Sequence, residues 1–324
     1  MVNETFTTKY KPKFLNQFKI KELSDSLHTF VRIEKIAILL TGNSGAGKTT
    51  LLHAIVREYY GADISLADDN ILSINTLKDQ GISYYRNDVR VFCQSTSTIS
   101  GKKKILILDD LDIINEQGQQ VFTNCIDKYS HNVCFIASCS NIQKVIDSIQ
   151  SRMDIIRVRQ HTSTELTEIT KKIVISEDIL LDEAVIAFIV DVCNGSVRIL
   201  INYLEKFKLL GKHIDTELAS QLCTNISFRD LDCYTEHCIA KNNSSAMEIF
   251  NSFVNKGYSV TDILDSYFTY LKHTCLLAED IKYQIIPVIC KYITIFHNIH
   301  EDEIELYFFT NNIISIISIN NKML

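Results

Sequence analysis

The chain has 324 residues, 46% of them hydrophobic, and a net charge of −6. That length and apolar content support two or three domains with a sizeable core and exclude a disordered chain. The acidic balance excludes a protein that holds nucleic acid across its whole surface, so any such contact must come from a local patch or an assembly.

The first strong signal is a strand followed by a glycine-rich turn and a helix. Ile36-Ala37-Ile38-Leu39-Leu40 reads as a short buried strand. Gly42-Asn43-Ser44-Gly45-Ala46-Gly47-Lys48-Thr49 fits the phosphate-binding P-loop pattern. Thr50 to Tyr59 continues as a helix, with Leu51, Leu52, Ile55 and Val56 on its inner face. The chemistry requires this order. Glycines let backbone N–H groups approach a phosphate without a Cβ in the way. The helix N-terminus adds a partial positive charge. Lys48 can neutralise phosphate charge and the Thr49 hydroxyl can ligate Mg²⁺. A nucleoside triphosphate is the expected ligand.

Alternation of strand and helix then continues to about residue 160. Strands are expected over 36–41, 71–75, 104–109, 132–138 and 154–159, and helices over 47–60, 81–94, 116–129 and 141–151. This predicts a parallel, doubly wound α/β sheet with the ligand at the strand C-terminal ends. Leu106-Ile107-Leu108-Asp109-Asp110 is an apolar strand ending in two carboxylates. Beside a P-loop, Asp109 is placed to hold Mg²⁺ and Asp110 to orient an attacking water.

After Gln160 the strand signals stop. Thr162 to Glu165 forms a capping box that opens a helix. Helices over 163–174, 182–193, 196–210 and 215–223 predict a small helical lid domain, 161–226. Longer helices from Phe228 predict an all-helical third domain, 227–324, with breaks near Asn242-Asn243, Gly257 and Asp280. The 10 cysteines include no C-x-x-C pair and mostly fall in apolar segments, as buried thiols of a reducing compartment, nuclear or cytoplasmic, would. No apolar leader opens the chain and no apolar run reaches membrane length, so no membrane partner is expected.

Several motifs in order resemble an AAA+ ATPase, and specifically a small subunit of replication factor C, the sliding-clamp loader. Phe6 to Leu15 is similar to the family's W-x-x-K-Y-R-P-x-x-L opening, whose role implies that Tyr10, Lys11 and Pro12 cover the adenine. Leu72 to Asn75, then Gly81-Ile82 and Arg86-Asn87, is similar to L-E-L-N…R-G-I-x-x-V-R-N, and Gln119-Gln120 fits the A-Q-Q helix. Lys144 to Arg152 is close to K-I-I-E-P-I-Q-S-R, which implies that Arg152 is an arginine finger reaching a neighbour's γ-phosphate. Gly195 to Arg198 resembles G-D-M-R, whose Arg is the second sensor.

The resemblance implies ATP and Mg as cofactors and a ring-like hetero-oligomer, a pentamer, that opens a PCNA-like clamp on primer-template DNA. It implies DNA contacts from Arg86 and Arg90 and clamp contacts from Ile82, Tyr84 and Tyr85. Some positions depart from the pattern. Asp110 replaces Glu, and Ser140 replaces the first sensor's Asn. Thr123-Asn124 replaces two Arg, and Gln80 replaces the Arg before Gly81. Two other readings stay open: a subunit that binds ATP without hydrolysing it, and an unrelated P-loop enzyme such as a nucleotide kinase.

Overall fold

The computed structural model describes residues 4–18, 21–33, 36–61, 64, 67–75, 82–223, 226–272, 274–296 and 300–320, without side-chain detail at 21–24, 33, 75, 82–86, 319 and 320. Two compact units emerge, one of residues 1–181 with 195–213, the other of residues 182–194 with 214–324.

The first unit is built on five parallel strands: β1 (Ala37–Thr41), β2 (Ile71–Asn75), β3 (Lys104–Asp109), β4 (Val133–Cys139) and β5 (Asp154–Arg157). Their spatial order is β2-β3-β4-β1-β5. Its helices are α1 (Phe6–Lys9), α2 (Lys21–Ile33), α3 (Lys48–Tyr60), α4 (Ile82–Gln94), α5 (Glu116–Tyr129), α6 (Asp147–Gln150) and α7 (Ser163–Glu177). The next helix of the chain, α8 (Glu183–Val192), belongs to the second unit, and α9 (Val197–Leu210) returns to the first.

Period-two alternation assigns the sheet's side chains to its two faces. Ile38, Leu40, Ile105, Ile107, Cys134 and Ile136 pack with the buried residues of α3 and Leu27 of α2. Leu39, Leu106, Leu108, Val133, Phe135 and Ala137 pack on the other face with Val89 and Cys93 of α4, Phe122 and Ile126 of α5 and Ile149 of α6. Strands buried on both faces are apolar without interruption, which is why β3 and β4 are legible in the sequence.

The helix expected over 141–151 is not continuous. A 3-10 turn at Ile142–Lys144 and the short α6 replace it, with Val145 extended between them. The Gln119 side chain explains the break. Its amide donates to the carbonyls of Ile114 and Lys144 at 2.9 and 3.0 Å, and its oxygen accepts from the Ile146 N–H at 2.9 Å. Backbone groups that a helix would satisfy are satisfied by a side chain from α5 instead. Helix α2 was not expected from the sequence pattern.

The second unit adds α10 (Thr216–Leu222), α11 (Phe228–Ile239), α12 (Asn243–Asn255), α13 (Val260–Leu271), α14 (Glu279–Phe296) and α15 (Ile304–Asn320). Its core is aromatic. Tyr234 stacks on Phe250 at 3.9 Å, and Tyr267 meets Phe309 edge-on at 5.9 Å. Both buried phenols are satisfied, Tyr234 by Thr310 at 3.0 Å and Tyr267 by Thr235 at 3.3 Å, so burying them carries no unpaired polar group. Among the described residues no helix is long and apolar enough to cross a membrane.

The capping box at the start of α7 forms as expected. Glu165 accepts from the Thr162 N–H at 3.0 Å and pairs with Arg159 at 2.6 Å. The Arg159 guanidinium holds the Glu165 carboxyl down to about 2. A depressed carboxylate contributes stability that is present above its unfolded value and lost as pH falls through the folded one. Glu165→Ala is therefore expected to destabilise the first unit by about 1–2 kcal/mol at pH 7. Urea denaturation at stepped pH checks this: the difference from wild type should close between pH 4.5 and about 2.

Candidate functional site

The turn after β1 supplies the first part of the site. Gly42 cannot carry a side chain: a Cβ there would lie 2.3 Å from the Val158 carbonyl oxygen, just past β5. Gly45 has φ +78°, and a Cβ on it would lie 2.3 Å from Ser196 Oγ, the side chain that caps α9. The loop is thus pressed against both the sheet and the N-terminus of α9, which carries Arg198.

Lys48 opens α3 and is only 7% exposed. Its ammonium donates to the carbonyls of Gly42 and Asn43 at 2.8 and 3.1 Å and to Ser140 Oγ at 3.1 Å. Burial lowers its pKa, and the carboxylates of Asp110, Asp112 and Asp109 oppose that. Thr49 Oγ1 donates to Asp109 Oδ1 at 3.3 Å. Ser138 on β4 ties the two carboxylates of the β3 end together, its hydroxyl donating to Asp109 and accepting the Asp110 N–H.

Asp110 sits at φ 55°, in the left-handed region that non-glycine residues seldom occupy. Burial, then the neighbouring Asp109, raises its carboxyl pKa, and Lys48 and Arg198 pull it back. The sheet thereby gathers Gly42 to Thr50, Asp109, Asp110, Ser140 and Arg198 at the C-terminal ends of β1, β3 and β4. The donor set suits a triphosphate with a divalent cation. A cationic side chain is held by carbonyls of the turn, a hydroxyl lies beside a carboxylate, and glycines occupy the close approaches.

The N-terminal segment is anchored on α7 and α9. The Tyr10 hydroxyl and the Lys9 ammonium both donate to Glu177, and the Phe6 N–H donates to Glu205 at 3.1 Å. Lys11 lies close enough to Arg57 and Asp109 to feel both charges, with burial the larger influence and its pKa lowered.

Arg152 stands elsewhere. It shares a cavity with Ile36, Ala37, Lys103 and Val133, at the N-terminal ends of β1, β3 and β4, the end of the sheet opposite the P-loop. Its Nε donates to Asp127 at 2.7 Å and a terminal nitrogen donates to the Ser148 carbonyl at 2.9 Å. Its ion-pair partner is Asp127 of α5, and not its sequence neighbours Asp147 and Asp154. The pair with Asp127 is exposed on both sides, where solvent and salt screen it.

Arg90 is exposed on α4 and lines a polar groove with Gln117, Gln120, Asn124 and Lys128 of α5. The side chains of Ile82, Tyr84, Tyr85 and Arg86 lie outside the described residues, as do Gln80 and Gly81 entirely.

Three contributors were not picked out from the sequence. Ser138 gives no signal there, because a serine in an apolar strand reads as a gap in the core. Asp112 accepts the backbone N–H groups of Ser140 and Asn141 and so positions the Ser140 turn. Its place three residues after Asp109 was the available clue. His53 follows Thr49 by one helical turn and lies near Lys11 and Asp109.

Gly42→Ala is expected to lower the stability of the first unit by about 1–3 kcal/mol, the cost of forcing a methyl group into a packed backbone contact. Chemical denaturation without nucleotide checks this, since the loss comes from Val158 and not from a ligand.

Comparison with known proteins bears on the same residues. The family model for ATPases associated with various cellular activities (AAA) matches residues 38–160. A protein of Acanthamoeba polyphaga mimivirus named as a replication factor C small subunit is 28% identical over 283 residues, 87% of each chain. The replication factor C small subunit of Methanoculleus marisnigri is 29% identical over 226 residues, 69% of each chain. Replication factor C subunit 4 of Saccharomyces cerevisiae is 25% identical over 297 residues, 87% of this chain and 86% of its own. Among solved structures, a variant of Thermotoga maritima RuvB superposes with a TM-score of 0.57 at 18% identity, covering 83% of this chain and 92% of that one, a likeness of fold. With the P-loop, the paired carboxylates and the parallel sheet in place, residues 38–160 match the AAA ATPase family and most of the chain is similar to small subunits of replication factor C.

Proposed function

We propose that this chain is an ATP-binding subunit of a DNA sliding-clamp loader. It would work in a hetero-oligomer, a pentamer, with other clamp-loader subunits, a PCNA-like clamp and primer-template DNA, in the nucleus or cytoplasm. The observation that carries the reading is the division of charge between the two ends of the sheet. The nucleotide pocket gathers at one end, while Arg152 is exposed at the other, tethered by a surface ion pair with Asp127 and a hydrogen bond to the Ser148 carbonyl. An arginine so placed has no use for the chain's own ligand. It is available to a neighbour's.

In this reading Lys48 neutralises phosphate charge, and Thr49 with Asp109 holds Mg²⁺. The ion supplies further positive charge against the phosphates when bound. Asp110 orients water, Ser140 senses the γ-phosphate beside Lys48, and Arg198 approaches from α9. Tyr10, Lys11 and Pro12 cover the base. Arg86 and Arg90 face DNA, and Ile82, Tyr84 and Tyr85 meet the clamp. Residues 1–160 form the nucleotide domain, 161–226 the lid and 227–324 the oligomerising collar.

A second reading, ATP binding without hydrolysis, has its own support. Asp110 is shorter than Glu and held in a left-handed conformation, and Ser140 offers only a hydroxyl, whose oxygen accepts from Lys48, where the resemblance implies an amide. ATPase assays of the reconstituted complex separate the two. Under the first reading, Lys48→Ala abolishes tight ATP binding by this chain. Arg152→Ala leaves this chain's affinity unchanged and slows hydrolysis at the neighbouring site, on the order of 10³-fold for a full finger. Wild-type turnover in the Arg152→Ala complex would remove the interface role. Normal complex turnover with Lys48→Ala, alongside lost binding, would favour the second reading.

A further inference from the structure

Helices α4 and α5 pack side by side, and each contributes one cysteine to their contact. Cys93 lies near the end of α4 and is fully buried; Cys125 lies in the middle of α5 and is 5% exposed. The two thiols belong to one buried cluster and interact with each other. Only Cys125 also lines the polar groove between the helices, beside Arg90 and Lys128. This gives it a route to small solutes that Cys93 lacks.

The two sulfurs differ chemically as well. The interaction with Cys93 favours the Cys125 thiolate, burial opposes it, and the Lys128 and Arg90 cations add to it, so the Cys125 pKa is lowered. The Cys93 thiol is pushed up by the same contact and by burial. Three other buried thiols, Cys139, Cys193 and Cys238, are pushed up by burial. A thiolate at the wall of a groove, next to a protonated and fully enclosed partner, is the arrangement in which oxidation proceeds to a disulfide instead of stopping at a sulfur acid.

We propose that Cys93 and Cys125 are an oxidant-sensing pair that closes a reversible disulfide between α4 and α5 in the presence of a peroxide. The Cys125 thiolate attacks one peroxide oxygen, the O–O bond breaks, and hydroxide leaves, forming a sulfenic acid at Cys125. The Cys93 sulfur then attacks the Cys125 sulfur. Its proton passes to the departing hydroxyl, which leaves as water. In sum, two thiols and one hydrogen peroxide become one disulfide and two waters. A thiol reductant returns the pair to its starting state. The staple would fix α4 on α5 and with it the groove between Arg90 and Lys128, so the redox state would act on that surface without touching the P-loop.

The test is peptide mapping of the full-length chain after treatment with hydrogen peroxide, with free thiols alkylated before digestion. The expected product is a Cys93–Cys125 cross-linked peptide that disappears on reduction. The exposed Cys233, Cys275 and Cys290 provide internal controls for general oxidation. Cys125→Ser should abolish the cross-link. Cys93→Ser should leave Cys125 as a sulfenic acid that dimedone traps several-fold more than in wild type. Oxidation of the exposed cysteines with Cys93 and Cys125 still reduced would overturn the proposal. So would equal dimedone trapping at Cys125 in wild type and in Cys93→Ser. Mapping of the wild-type chain decides the matter alone if either variant fails to fold.

Discussion

The Lys48 ammonium, buried between the carbonyls of Gly42 and Asn43 and the hydroxyl of Ser140, is the point on which the site turns. A buried cation needs partners at close range, because losing water costs it several kcal/mol. Those partners come from two places: the P-loop itself and the end of β4. The parallel sheet makes this possible. With β1 beside β4, and β4 beside β3, the P-loop, Ser140 and Asp109 fall at neighbouring strand ends. Any strand order that separated β1 from β4 would leave Lys48 without Ser140.

The same constraint extends outward. Gly45 packs on Ser196, the cap of α9, so the loop that surrounds Lys48 also meets the element that carries Arg198. Glu177 of α7 and Glu205 of α9 anchor the N-terminal segment through Tyr10, Lys9 and the Phe6 backbone. Helices α7 and α9 thus hold the segment expected over the base and one edge of the phosphate loop at once. The strained backbone at Asp110 fits the pattern of a site whose geometry is imposed by its surroundings. Ser138 imposes it, bonding Asp109 with its hydrogen and Asp110 with its oxygen.

Gln119 plays the matching part on the other face of the sheet. Fully enclosed, it bonds the backbone on both sides of the break between Lys144 and Ile146. It therefore joins α5, which borders the polar groove, to the segment that leads to Arg152. This one side chain explains why the segment before Arg152 is a pair of short turns and not a helix.

Much was determined by the sequence alone. The central strands β1, β3 and β4 and the P-loop helix were legible because a strand buried on both faces is largely apolar, and a phosphate loop must place glycines at fixed offsets. The resemblance to replication factor C small subunits was legible because the motifs recur in order, from Phe6 to Arg198. What the sequence left open was decided by contacts between residues far apart in the chain. The partner of Arg152 is Asp127, 25 residues earlier, and not an acidic neighbour in the sequence. Ser138 and Asp112 join the site only because β4 lies against β3 and the turns after both strands meet. Cys93 and Cys125 come into contact only because α4 and α5 pack side by side. Local sequence carries periodicity and turn chemistry. It does not say which distant side chain will fill a given hydrogen bond, and that choice was made by the strand order and by helix packing.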